Sequence, residues 1–178
     1  MVLAQLKFSL SSFKLGLTSD YFSAATPIGK KYFFIPFSGN VKIGFANSRR
    51  RIGYFFYNKA FYKTYINKIR YGLMGIQYGY YSELVTRGVG YRFEKQDKHS
   101  NVLTLNLGYS HFIFYRLPHS INFRALKTYL FLFSNDAALL TQIAYRIKSL
   151  KLPDVYKGKG LRYYKEIIAR KVGKQRQR

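Results

Sequence analysis

The sequence predicts an α+β fold made of two tandem related domains, each an antiparallel sheet packed against a helix. Short runs of alternating apolar residues separated by turn residues give way to an apolar stripe of helical period, and this order of sheet then helix occurs twice. Hydrophobic residues make up 48% of the chain and aromatics 19%, which supplies the apolar surface a core needs to offset chain entropy. A chain of 178 residues accommodates one domain or two small ones of about 80 to 90 residues each, and the repeated order favours two.

Residues 1–29 stand before the first unit as an N-terminal extension, and residues 30–81 form the first domain. There Ile35-Pro36 leads into Val41, Ile43 and Phe45, then the turn-rich Asn47 to Arg51, then Ile52 to Tyr57, which reads as a hairpin with a basic tip. Asn58 is placed to cap the helix that follows, whose apolar positions Phe61, Tyr65, Ile69, Leu73, Ile76 and Tyr80 recur every three or four residues. Gly72, Gly75 and Gly79 weaken this helix by up to ~1 kcal/mol each relative to Ala, a cost that points to close packing on a sheet or an irregular end.

The second domain covers residues 82–153. Leu84 to Phe93 reads as a strand, Glu94 to Asn101 as a turn, and Val102, Thr104 and Asn106 alternate with Leu103, Leu105 and Leu107 in a strand with one apolar face. Ile113 to Tyr115, Ile121 to Leu126 and Thr128 to Phe133 are further short strands around Pro118. Asn135 then caps a helix whose stripe is Leu139, Ile143, Ile147 and Leu150, ended by Pro153. Residues 154–178 form a basic C-terminal tail with a short helix expected at Lys165 to Lys171.

With 31 Lys and Arg against 7 Asp and Glu, the net charge is +24. It is concentrated: residues 30–70 carry +10 and residues 145–178 another +10, whereas 1–29 and 71–144 carry +1 and +3. A solvated face explains a single lysine cluster. Twenty net charges in 75 residues repel one another on a free monomer and point to a polyanion, nucleic acid or an anionic membrane.

Chemistry-bearing patterns are few. With no cysteine there is no disulfide framework, thiolate metal site or cysteine nucleophile, and three histidines with seven scattered acids offer little for another metal site. Ser110 and His111 are sequence neighbours, so a strand would place them on opposite faces, unsuited to a nucleophile and its base. Glu94 and Asp97 suit a turn between strands. Gly88-Val89-Gly90 lacks the third glycine and helix of a dinucleotide site, and Gly158-Lys159-Gly160 lacks the spacing and hydroxyl residue of a phosphate loop. No catalytic residue, metal, cofactor or small-molecule substrate is expected. The longest apolar run, Tyr129 to Phe133, is far short of the roughly 20 residues a spanning helix needs.

Two features concern origin. Phe, Tyr, Met, Ile, Asn and Lys total 75 residues against 41 for Gly, Ala, Arg and Pro, the bias of an AT-rich gene. The first 19 residues carry Lys7 and Lys14 and no acid, yet lack the arginine of an organelle presequence and begin at Met1. An uncleaved start in an AT-rich gene favours an organelle genome.

In Tyr156-Lys157-Gly158-Lys159-Gly160-Leu161-Arg162-Tyr163, bases alternate with glycines whose missing side chains let backbone N–H groups approach phosphate, and the tyrosines can stack on bases or riboses. A flexible basic tail is the bland alternative. Leu152-Pro153-Asp154-Val155 followed by this run closely resembles the C-terminal signature of the family of the sixth large-subunit ribosomal protein in bacterial numbering, roughly P-E-P-Y-K-G-K-G-[IV]-R-Y. Gly88 to Arg92 resembles the family's GVGYR strand, Leu107 to His111 its L-G-[FY]-S-H, Gln142 with Ala144 its Q-x-A helix, Gly75 to Tyr80 its G-[VI]-x-x-G-F, and Ile35-Pro36 its I-P strand. Val155 replaces the second proline, the first domain is eroded, and residues 1–29 match no part of the family pattern.

The resemblance implies a non-enzymatic structural protein of the large ribosomal subunit with two related α+β domains. Its implied partners are large-subunit rRNA near the sarcin–ricin loop, beside the translation-factor site, and neighbouring ribosomal proteins. Codon bias adds a mitochondrial ribosome. The residues assigned to rRNA contact are Tyr156, Lys157, Gly158, Lys159, Gly160, Arg162, Tyr163, Lys165, Arg170, Lys171 and Lys174 in the tail. Ser110 and His111 join them, with Arg49, Arg50 and Arg51 at the hairpin tip. Rival readings of the same charge and aromatics are a cationic peripheral membrane protein and an organellar RNA chaperone.

Overall fold

The computed structural model describes residues 2–6, 14–17, 21–26, 29–34, 41–46, 51–56, 59–95 and 101–173. The chain divides into two compact units, Met1–Gly79 and Tyr80–Arg178. Each contains antiparallel sheets and one helix, so the protein is α+β as expected.

The first unit contains β1 (Val2–Leu6), β2 (Lys14–Leu17), β3 (Tyr21–Ala25), β4 (Lys30–Phe34), β5 (Val41–Ala46), β6 (Arg51–Phe56) and α1 (Lys59–Tyr78). The expected hairpin is the β5–β6 pair, in register from Val41 opposite Phe56 to Ala46 opposite Arg51. Strand β1 joins it along β6, while β2, β3 and β4 make a separate sheet, so residues assigned to the N-terminal extension contribute strands to this unit. Helix α1 buries Ile69, Leu73 and Ile76, three members of the predicted stripe. Gly72 answers to close packing: a Cβ there would lie 2.3 Å from the Phe33 ring on β4. Tyr80 falls beyond the helix, and Ile35-Pro36, the proposed cap Asn58, and the side chains of Phe61 and Tyr65 lie outside what is described.

The second unit runs β7 (Tyr80–Arg87), β8 (Arg92–Lys95), β9 (Val102–Asn106), β10 (Ile113–Arg116), β11 (Asn122–Ala125), β12 (Tyr129–Ser134), α2 (Ala137–Ser149) and β13 (Gly160–Tyr163). One sheet has the order β11-β12-β7-β13, the other β10-β9-β8, all pairs antiparallel. The predicted apolar face of β9 is Leu103 and Leu105, continued by Leu107, all with no exposed surface. It shares one core with Leu84, Leu130 and Leu132 of the larger sheet, Ile143 and Ile147 of α2, and Leu161 of β13. Each such side chain contributes roughly 1.5–3 kcal/mol of burial.

Three expectations are corrected. Leu84 to Phe93 is two strands, because Gly88 and Gly90 take φ of +155° and +78° and turn the chain, with the Gly88 carbonyl accepting from Tyr91 N–H at 3.3 Å. The Tyr91 ring then packs on Gly88 and Gly108, where a Cβ would lie 2.8 and 2.6 Å from it. Asp136, one residue later than expected, caps α2, its carboxylate accepting from Ala138 N–H at 3.0 Å, while Asn135 remains in the loop. Lys165 to Lys171 is not a helix: Lys171 N–H, which would serve a helical ladder, donates instead to the Val155 carbonyl at 2.9 Å. The α2 stripe holds and is wider than expected: Ile143 and Ile147 are buried, Leu139 and Leu150 pack partly buried against the same core, and Leu140 and Ala144 join them.

Candidate nucleic-acid interface

The tail begins where α2 ends. Leu150 caps that helix, its N–H donating to the Ile147 carbonyl at 3.1 Å, and Pro153 three residues on prevents a return to helix. Asp154 then closes a loop on itself. Its N–H donates to the Lys159 carbonyl at 2.9 Å and its carbonyl accepts from Gly158 N–H at 2.9 Å. Its carboxylate accepts from Lys157 N–H at 3.1 Å and Tyr156 N–H at 3.4 Å. The Lys157 amide first, then that of Tyr156, holds this carboxyl below its ordinary 3.8.

This closure revises the role expected of the glycines. The N–H groups of residues 156–158 are spent inside the loop, so the loop does not offer them to phosphate. Gly158 has φ +67° and takes the Arg170 guanidinium against it, where a Cβ would lie 3.0 Å from Nε. Gly160 lets β13 pass over the start of the tail: a Cβ would meet the Leu152 carbonyl oxygen and Pro153 Cα, both at 2.7 Å. What the loop presents are the exposed side chains of Tyr156, Lys157 and Lys159. Exposed Arg170 and Lys171 return to it through the Lys171–Val155 bond.

Gly160 to Tyr163, read as tail, is an edge strand of the larger sheet, with Arg162 opposite Val85 and Tyr163 opposite Leu84. Leu161 is wholly buried, so the alternation of a strand turns Arg162 to the other face, where its Nε is buried without an acceptor. Tyr163 packs against the core rather than standing free to stack on a base. Lys148 Nζ lies 4.9 Å above its ring, and its N–H donates to Glu166 at 3.0 Å. Glu166 also accepts from Lys148, tying the tail to α2. Burial pushes the Glu166 carboxyl upward, but the bonds from Lys148 and Tyr163 outweigh it and leave it below the usual value.

Ser110 and His111 are exposed in the bend after β9, not in a strand. Tyr109 holds this bend beside the tail's origin: its hydroxyl donates to the Leu150 carbonyl at 3.0 Å, Lys151 Nζ sits 4.3 Å over its ring, and His111 stacks on it at 6.0 Å. The bend and the root of the tail are thus brought together. Lys165 is exposed, and Lys174 lies outside the described residues. Arg49 and Arg50 also lie outside them, and Arg51 opens β6 in the first unit. Sequence reading gave no role to Asp154, Lys148, Lys151, Tyr109 or Glu166, although Asp154 and Tyr109 lay within its motifs. Asp154 also carried a local signal, an Asp two and three residues before amides in a Gly-containing turn. No helix among the described residues is long and apolar enough to cross a membrane.

No family model matches the chain. It is similar to large ribosomal subunit protein uL6 of Borrelia duttonii, 40% identical over 117 residues that make up 65% of this chain and 63% of that protein. The uL6 of Karelsulcia muelleri is 38% identical over 122 residues, 66% of this chain and 65% of its own length. That of Thermotoga maritima is 36% identical over 118 residues, 66% and 62% respectively. The chain therefore spans a little under two thirds of the length of these relatives.

Proposed function

We propose, on the premise that this chain belongs to the uL6 family of large ribosomal subunit proteins, that it is a structural, non-catalytic constituent of the large subunit of a mitochondrial ribosome. It binds large-subunit rRNA near the sarcin–ricin loop, beside the translation-factor site, with neighbouring ribosomal proteins around it. The observation that carries this reading is the closed loop at residues 154–159, which holds Tyr156, Lys157 and Lys159 on its outside with Arg170 and Lys171 folded back against it.

Phosphates are engaged by side chains. Lys157, Lys159, Arg170 and Lys171 neutralise backbone charge and release condensed counterions, the principal source of affinity for a nucleic acid backbone. Tyr156 supplies an exposed ring for stacking on an unpaired base or ribose. Ser110 and His111, on the bend tied to Leu150 by Tyr109, add polar contacts beside the root of the tail. Arg49, Arg50 and Arg51 add a second cluster of positive charge along the sequence for contact with rRNA. The mitochondrial assignment is supported by the AT-rich amino-acid usage.

The protein is expected to comigrate with the large subunit on a gradient of a mitochondrial lysate at moderate salt, and to leave that position after ribonuclease treatment. Recovery in a membrane pellet that withstands ribonuclease would refute the assignment, and recovery with cytosolic ribosomes alone would refute its mitochondrial part.

A further inference from the structure

We infer that Asp154, an acid set within the basic tail, is a positioning residue that raises affinity for RNA. The inference rests on the tail being an RNA contact and names the residue that gives that contact its shape. Charge alone predicts the opposite, since a carboxylate among Lys157, Lys159, Arg170 and Lys171 repels phosphate. That repulsion is small, because Asp154 is exposed and an exposed charge acts through high dielectric and mobile ions.

Geometry works the other way. Four hydrogen bonds converge on this one residue: two through its backbone, to Lys159 and from Gly158, and two into its carboxylate, from Tyr156 and Lys157. Bonds to an ionised acceptor are roughly twice as strong as neutral ones, and an aspartate carboxyl is ionised at physiological pH. The two carboxylate bonds fix the amides of the residues whose side chains face outward. The same loop presents the Val155 carbonyl to Lys171, so its shape also sets where Arg170 and Lys171 return. Without the carboxylate the amides of Tyr156 and Lys157 lose their acceptor and only the two backbone bonds close the loop, so the four cations are held less firmly on one stretch of backbone and cost more to order on binding.

The test is a titration of the full-length protein with a synthetic RNA hairpin of sarcin–ricin loop sequence, at roughly 50 and 200 mM salt. Asp154→Ala is expected to bind about tenfold more weakly at both salts, although the protein gains a net positive charge, because ordering the freed residues opposes binding. Asp154→Asn, which keeps one neutral acceptor oxygen, is expected to fall between Asp154→Ala and the parent. Glu94→Gln serves as the charge control: it removes an exposed acid that pairs with Arg92 at 2.7 Å and is expected to bind as tightly as the parent or slightly tighter at low salt. Amide exchange separates positioning from loss of fold, with Tyr156 and Lys157 exchanging faster in Asp154→Ala while Leu130 and Leu132 in the core stay protected. If the parent binds and both Asp154 variants match or exceed it, the inference is overturned and the RNA reading stands. If the parent itself has no affinity for the hairpin, the RNA reading of the tail falls and the inference falls with it.

Discussion

Replacing Gly160 with Ala tests how the tail is joined to the second unit. The added Cβ would sit 2.7 Å from both the Leu152 carbonyl oxygen and Pro153 Cα, backbone atoms that cannot swing aside as a side chain does. The residue also holds φ at +148°, a conformation that costs a non-glycine residue about 1–3 kcal/mol. Relieving the contact means separating β13 from residues 152–153, which strains the Asp154 N–H bond to Lys159 and the Leu161 N–H bond to Lys151, at 2.9 and 2.8 Å. Each bond is worth about 0.5–1.5 kcal/mol net. Strain and one lost bond together amount to roughly 2–4 kcal/mol, or about 10 to 30 °C in the melting of a domain of this size. Thermal unfolding of the full chain by circular dichroism measures the loss, and amide exchange at Leu130 and Leu132 assigns it to the second unit. Gly173→Ala is the control, since its Cβ would meet nothing within 4 Å. A Gly160→Ala protein that melts within ~2 °C of the parent would mean that this junction is loosely packed and the reasoning fails.

Three further outcomes are expected. Gly158→Val, at φ +67° and against the Arg170 guanidinium, should displace Arg170 and reduce RNA affinity at low and high salt alike although no charge is removed. Lys157→Ala should weaken binding most at low salt, where the lost charge counts for most, and lower the magnitude of the log-affinity slope by ~0.7 to 0.9, and a Gly158→Val protein indistinguishable from the parent would show the tail to be a flexible basic anchor. Glu166 has a carboxyl pKa below its ordinary 4.5 in the folded chain, so the order it confers is complete above that value and lost as pH falls through the lowered one. Protection of the Tyr163 amide, corrected for intrinsic exchange, should decline in that acid range and be insensitive to it in Glu166→Gln; an equal decline in both proteins would exclude Glu166 as the cause.

Much of the second unit was legible because its signals are local. The alternation of Leu103, Leu105 and Leu107 identifies a strand with one buried face, and the helical spacing of Ile143 and Ile147 identifies the buried side of α2. These periodicities follow from backbone geometry and hold before any tertiary contact forms. Where neighbouring residues competed for one role, periodicity did not discriminate: Asn135 and Asp136 are both good caps, and the choice depends on where β12 releases the chain, with Ser134 accepting from Asp136 N–H at 3.1 Å. The turn at Gly88 and Gly90 was hidden for another reason. Glycine permits a turn without requiring one, and it is the Tyr91 ring lying on Gly88 and Gly108 that makes both glycines necessary.

By itself the sequence determined the fold class, the two basic concentrations and the motif series that ends in Tyr156 to Tyr163, since composition, charge and spacing are properties of the chain read in order. The division of labour within the tail was decided only by tertiary structure. Lys157, Lys159 and Arg162 look equivalent in sequence, as do Tyr156 and Tyr163. In the fold, pairing of β13 with β7 turns Tyr163 against the core and sets Arg162 on the opposite sheet face, while closure through Asp154 leaves Lys157 and Lys159 outside. Arg170 and Lys171 join that loop from further along the chain, through the bond of Lys171 to Val155 and the space left for Arg170 by Gly158. Such contacts depend on where a strand edge and a returning segment meet in space, and no periodicity along the chain encodes that distance.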